Sequence, residues 1–151
     1  MNDEKADFTR LREIQDPRVG KVAELLAESP RHSVAELALQ VHLSPSRLSK
    51  LFKSEAGIGL GQYLTLLRMR CAARLLATTE DPVKKIAAAV GYHHPSSFVR
   101  AFNEHFSESP KVYRLKLRRA AATRFLQLDD LLRRADRPAA DDEQSGGFRI
   151  L

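Results

Sequence analysis

Val34-Ala35-Glu36-Leu37-Ala38-Leu39-Gln40-Val41 returns forty-nine residues later as Val83-Lys84-Lys85-Ile86-Ala87-Ala88-Ala89-Val90, with Leu37 falling on Ile86, Ala38 on Ala87 and Val41 on Val90. One inserted residue later the match resumes: Leu48-Ser49-Lys50-Leu51-Phe52 overlays Phe98-Val99-Arg100-Ala101-Phe102, and further on Tyr63 overlays Tyr113. Two copies are too few for a solenoid, which needs at least three stacked units, so the repeat reads as two similar modules side by side.

Outward from the repeat, the signals are helical. Asp16-Pro17 offers an N-cap and a proline at the first helical position, followed by Val19, Val22, Ala23 and Leu26 at helical spacing. Ser33 opens the next helix as a capping box, with Glu36 able to reach back to its backbone N–H. His42 closes that helix where a left-handed residue is wanted, and Gly91 fills the same slot in the second copy. Ser44-Pro45, Asp81-Pro82, His94-Pro95 and Ser109-Pro110 each read as a cap followed by a proline that starts a helix. Gly57 and Gly59 end the helix begun at Ser44. A linker helix from about 60 to 78 is marked by one stripe, Leu60, Leu64, Leu67, Cys71 and Leu75. The expectation is all-α: about seven helices, with a first helix-turn-helix at about 33–56, the linker, and a second at about 83–107.

The ends differ in kind. Residues 1–16 form a polar extension in which Phe8, Leu11 and Ile14 recur at spacing three, a short docking helix or nothing ordered. Within 120–151, residues 121–135 read as a C-terminal helix with Phe125, Leu128 and Leu132 on one stripe, and the segment beyond Pro138 reads as a disordered tail. That stripe is too apolar to stay solvated at no cost. Docking on its own chain is favoured over pairing with a second copy, and a monomer is the expected state.

Charge concentrates on the repeat. Residues 1–16 carry three Lys/Arg against five Asp/Glu, residues 17–119 seventeen against eight, and residues 120–151 five against six, giving −2, +9 and −1 within the total of +6. A basic region of this kind suits a polyanion. No run approaches the ~18 apolar residues of a membrane span, and the opening Met1-Asn2-Asp3-Glu4-Lys5 lacks the pattern of a signal peptide. Lone Cys71 fits a reducing cytoplasm.

In a helix-turn-helix the second helix enters the major groove, so it divides its residues between core and DNA. In the first copy Leu48, Leu51 and Phe52 form an inward stripe and Ser46, Arg47, Ser49, Lys50 and Lys53 face out. In the second, Phe98, Ala101, Phe102 and Phe106 turn inward and Ser96, Ser97, Val99, Arg100 and Asn103 outward. Lys and Arg suit guanine O6 and N7, while short hydroxyls meet bases or phosphates. The competing reading of either helix alone is an amphipathic helix with an ordinary solvated face.

The run Ile86-Ala87-Ala88-Ala89-Val90-Gly91-Tyr92, then Ser97-Phe98-Val99-Arg100-Ala101-Phe102 and Ser109-Pro110-Lys111-Val112-Tyr113-Arg114, resembles the signature of the AraC/XylS transcription regulators. Ser44 to Lys53 with Gly57 and Gly61-Gln62-Tyr63-Leu64 is similar to the family's other half, so the resemblance covers about 17–119. It implies a homeodomain-like fold of two helix-turn-helix subdomains joined by a linker helix, both recognition helices reading one face of double-stranded DNA. It also implies base-facing slots at Ser46, Ser49 and Lys50, and at Pro95, Ser96, Ser97 and Arg100. Pro95 donates nothing, which leaves readout by the second helix mainly to Arg100, with help from Ser96 and Ser97. Members usually carry a sensory and dimerising domain ahead of this region, whereas sixteen residues precede Pro17 here. The chain reads as a short free-standing member or as a piece of a longer one. An activator of this type would also meet RNA polymerase.

Geometry agrees independently. A nineteen-residue linker helix is ~28 Å long, close to the ~34 Å between successive major grooves on one side of DNA. His93, His94, His105, His32 and His42 lack the tight cysteine-rich spacing of a zinc site, and no cofactor is expected. With no phosphate loop, nucleophile elbow or paired carboxylates in a cleft, an enzyme is not expected. The alternative from another class is an interaction protein that keeps this fold but modulates another regulator without specific DNA binding.

Overall fold

The computed structural model describes residues 13–135. Among them run seven helices and no strand: α1 Pro17–Glu28, α2 Val34–Gln40, α3 Pro45–Ala56, α4 Leu60–Thr78, α5 Val83–Ala89, α6 Pro95–Phe106 and α7 Pro110–Ala135. The chain divides into two compact units after Lys116, within α7. Phe8, Leu11 and the tail beyond Pro138 lie outside the described residues, while Ile14 packs against the first core.

The first unit holds two separate hydrophobic cores. Val19, Val22, Leu26, Leu37, Leu48, Phe52, Leu60 and Leu64 belong to one. Met69, Ala72, Leu76, Ile86, Val90, Phe98 and Phe102 belong to the other. Each fully buried Phe stabilises its core by roughly 1.5–3 kcal/mol relative to exposure. In the second core the aromatics form a continuous column, Tyr92 to Phe98 at 5.6 Å, Phe98 to Phe102 at 5.7 Å and Phe102 to Tyr113 at 5.4 Å between ring centres.

The linker helix is where the single-stripe expectation fails. Its buried residues are Leu60, Tyr63 and Leu64 toward the first core, then Met69, Ala72 and Leu76 toward the second, whereas Leu67, Cys71 and Leu75 are only half-buried. At about 100° per residue the two triplets centre about 160° apart, so α4 presents nearly opposite sides to the two cores. The repeat thereby extends further than sequence matching found it. Val19, Val22 and Leu26 of α1 stand fifty positions before Met69, Ala72 and Leu76, and both triplets are buried. The second half of α4 does for the second subdomain what α1 does for the first. Helices α1 to α3 pack on one another and α3 on α4, and α4 packs in turn on α5 and α6.

The caps mostly follow the sequence. The Asp16 carboxylate accepts from Arg18 N–H at 2.9 Å, and the Ser33 and Ser44 hydroxyls accept from Glu36 N–H and Arg47 N–H, each at 3.2 Å. The Ser33 backbone N–H donates to the Glu36 carboxylate at 2.7 Å, completing the capping box. His42 and Gly91 do take left-handed backbones, φ 56° and 96°. Two expectations are corrected, and a third, His94, holds in position but without a side-chain bond. Gly59 does not end α3 but precedes α4 as its N-cap, Gly57 alone closing α3 with φ 73°. Asp81 does not cap α5; its carboxylate holds Lys85 at 2.8 Å and its carbonyl accepts from Arg114 at 2.6 Å. His94 sits at the N-cap of α6 without a side-chain hydrogen bond, because an imidazole is a poor substitute for a short oxygen acceptor there.

In the second unit the helix predicted at 121–135 is present as the continuation of α7, with no break after 119. Its stripe, expected to be covered, is exposed: Phe125 at 71%, Leu128 at 58% and Leu132 at 62%. Asp129 and Asp130 pair along the helix with Arg133 and Arg134 at 2.9 and 2.7 Å.

Candidate nucleic-acid interface

Helix α3 is held by Leu48, Phe52 and Ala56, all buried, and started by Ser44 and Pro45. With the inward side fixed, Ser46, Arg47, Lys50 and Lys53 are exposed, as the sequence requires of a reading face. Ser49 is half-buried, on the border of that face. Helix α6 is seated by Phe98 and Phe102, and Pro95, Ser96, Ser97, Arg100 and Asn103 are exposed. Val99, expected outward, is half-buried and packs against the second core. The outward face of α6 is therefore narrower than the helical pattern suggested.

Among the described residues no carboxylate lies within ion-pair distance of Arg47, Lys50, Lys53 or Arg100. Their charge is uncompensated by local partners, unlike that of Lys21, Lys85 and Lys116, which pair with Glu24, Asp81 and Glu108. An array of this kind on two helices of one repeat is suited to a polyanion. Among the described residues no group of three His, Cys, Asp or Glu side chains is placed to hold a metal ion, and no helix is long and apolar enough to cross a membrane. Cys71, placed by the sequence on the apolar stripe of the linker, is half-buried beside the second core with an Arg74 nitrogen 4.0 Å from its sulfur.

Sequence reasoning passed over Arg68. From α4 its guanidinium donates to the carbonyls of Pro30 at 2.9 Å and His32 at 3.1 Å, and it lies 5.5 Å from the centre of the Tyr92 ring. Glu36 stands in the same cleft, its pKa lowered by the backbone and hydroxyl hydrogen bonds of Ser33. No spacing rule marks Arg68, since its partners are carbonyls, which every residue carries.

Comparison with known proteins places this geometry. The family description "Helix-turn-helix domain" matches residues 37–116. The RCS-specific HTH-type transcriptional activator RclR of Escherichia coli is 36% identical over 107 residues, which is 70% of this chain and 38% of that protein. The lactose operon transcription activator of Staphylococcus xylosus is 38% identical over 82 residues, 54% of this chain and 29% of that protein. The chain thus spans well under half the length of these relatives. Among solved structures, the C-terminal domain of AraT, a response regulator from Geobacillus stearothermophilus, superposes with a TM-score of 0.61 at 33% identity, covering 67% of this chain and 86% of that one. The DNA-binding domain of AdpA, a global transcriptional factor solved in complex with a target DNA, gives 0.62 at 28% identity, covering 70% and 96%.

Proposed function

Because this chain belongs to the AraC/XylS family of helix-turn-helix transcription regulators, we propose that it regulates transcription by binding duplex DNA sequence-specifically through residues 17–119. The observation that carries the reading is the recurrence, fifty residues apart, of a helix seated by two buried side chains and presenting unpaired cations outward: Leu48 and Phe52 under Lys50, Phe98 and Phe102 under Arg100. Helices α3 and α6 enter successive major grooves on one side of the DNA. Lys50 and Arg100 address base edges, with Ser46, Ser49, Ser96 and Ser97 supplying shorter contacts. Arg47, Lys53 and Asn103 hold the backbone. The protein acts as a cytoplasmic, non-enzymatic regulator, as a monomer, and touches RNA polymerase where it activates.

Selection of bound duplexes from a random pool tests the proposal. One sequence class spanning about two helical turns is expected to be enriched, and with about four phosphate contacts affinity falls about a hundredfold between about 50 and about 200 mM salt. A pool that enriches nothing, or binding without a salt slope, would leave the interaction-protein reading in its place.

A further inference from the structure

The two cores share no side chain, and helices α1 to α3 are joined to α5 and α6 chiefly through α4. A single helix would leave the two readers free to twist against each other by bending. At one place, however, the two subdomains come together directly. Gly91, in the turn between α5 and α6, lies so close to the segment before α2 that a Cβ there would stand 3.0 Å from the Arg31 Cα and 3.2 Å from the Arg68 guanidinium. Its equivalent in the first copy, His42, is exposed and carries a full side chain. Both positions have positive φ, but 56° at His42 lies in the left-handed region that other residues visit, whereas 96° at Gly91 lies beyond it, so backbone and close approach both call for glycine here.

Arg68 closes this junction from the linker. Its fork satisfies the Pro30 and His32 carbonyls of the first subdomain while its cation lies over Tyr92 of the second, whose ring packs 5.6 Å from Phe98 at the base of α6. One side chain thus ties the lead-in of the first reader to the seat of the second. Charge-assisted forks of this kind fix direction as well as distance.

We propose that Arg68, with Gly91, sets the angular phase between the two recognition helices, making Arg68 a positioning residue that determines which half-site spacing the protein accepts. The inference rests on the DNA-reading proposal above and deepens it. Each base pair inserted between half-sites turns one of them by about 34°, which a fixed pair of readers cannot follow and a loosened pair can.

The test uses the full chain with Cys71→Ser, and spin labels on Leu39→Cys and Lys84→Cys, both exposed and outside the reading helices. Arg68→Met and Gly91→Ala are each expected to widen the distance distribution between the labels. On the duplex most enriched from the random pool, and on versions with two base pairs inserted or removed between half-sites, both variants are expected to lose preference for the original spacing by about tenfold. A variant that is merely less stable would bind all spacings more weakly and keep the ratio. An unchanged distribution in both variants, or an unchanged ratio, overturns the inference. If the pool enriches no sequence, the DNA-reading proposal fails separately and the distance distributions still judge the junction.

Discussion

Lys50 and Lys53 stand three positions apart on α3, both exposed, and a duplex would distinguish them. Lys50→Ala and Arg100→Ala are each expected to weaken specific binding by about 1–3 kcal/mol with the fold intact, as loss of a base contact does. Lys53→Ala should lower affinity evenly on specific and random DNA; titrations of both kinds of duplex check this, and parallel behaviour of Lys50→Ala and Lys53→Ala would refute the division of roles. In the core, Phe98→Ala removes the ring that touches both Tyr92 and Phe102 and should cost about 3–5 kcal/mol in denaturant unfolding. At this scale the sequence was legible where local backbone chemistry decides: the left-handed slots at His42 and Gly91 and the box at Ser33. It was not legible at Ser49 and Val99, because helical spacing gives a direction on the helix but not how far neighbouring elements reach around it. Arg68 stayed hidden for a related reason, its carbonyl partners lying 36 and 38 residues away in the chain.

Among the elements, α1 has the most explicit start. Arg18 forks onto the Asp16 carboxylate at 3.0 and 2.7 Å, and these bonds hold the Asp16 pKa down to about 2, from an ordinary 3.8. A lowered carboxylate pKa stabilises the fold above the unfolded value and loses that contribution as pH falls through the folded one. The thermal midpoint of the protein should therefore exceed that of Asp16→Asn at about pH 5, and the gap should close toward about pH 2; a gap independent of pH would count against the charged cap. Helix α7 invites a different experiment. Phe125, Leu128 and Leu132 are exposed on it, so replacing all three with Ser should leave the unfolding midpoint of the protein unchanged. A clear fall would mean that Phe125, Leu128 and Leu132 stabilise it after all. The continuity of α7 could not be read in advance, since the run from Lys116 to Arg119 is mostly charged and offers neither a stop signal nor an apolar stripe. Helix α4 was misread for the opposite reason. Apolar residues on nearly opposite sides fit several stripes at once, and the one chosen ran through half-buried Leu67, Cys71 and Leu75.

For the whole molecule, the repeat carried most of the information. Matching residues thirty-four to forty-one against eighty-three to ninety was enough to anticipate two modules, their order and the number of helices, because each module repeats the same turn chemistry and the same buried positions. What it could not supply was the junction at Gly91, which has no counterpart in the first copy. The shared helix has a consequence in time. As the chain leaves the ribosome, everything the first core needs has been made by Leu67, so that core can close while the rest of α4 is still without a partner. Met69, Ala72 and Leu76 then wait for Phe98 and Phe102, roughly twenty-six residues behind Leu76, which at about 5–20 residues per second is a delay of about 1–5 s. For those seconds the helix that joins the two readers in the finished protein offers the nascent chain an uncovered apolar side, a surface open to a chaperone.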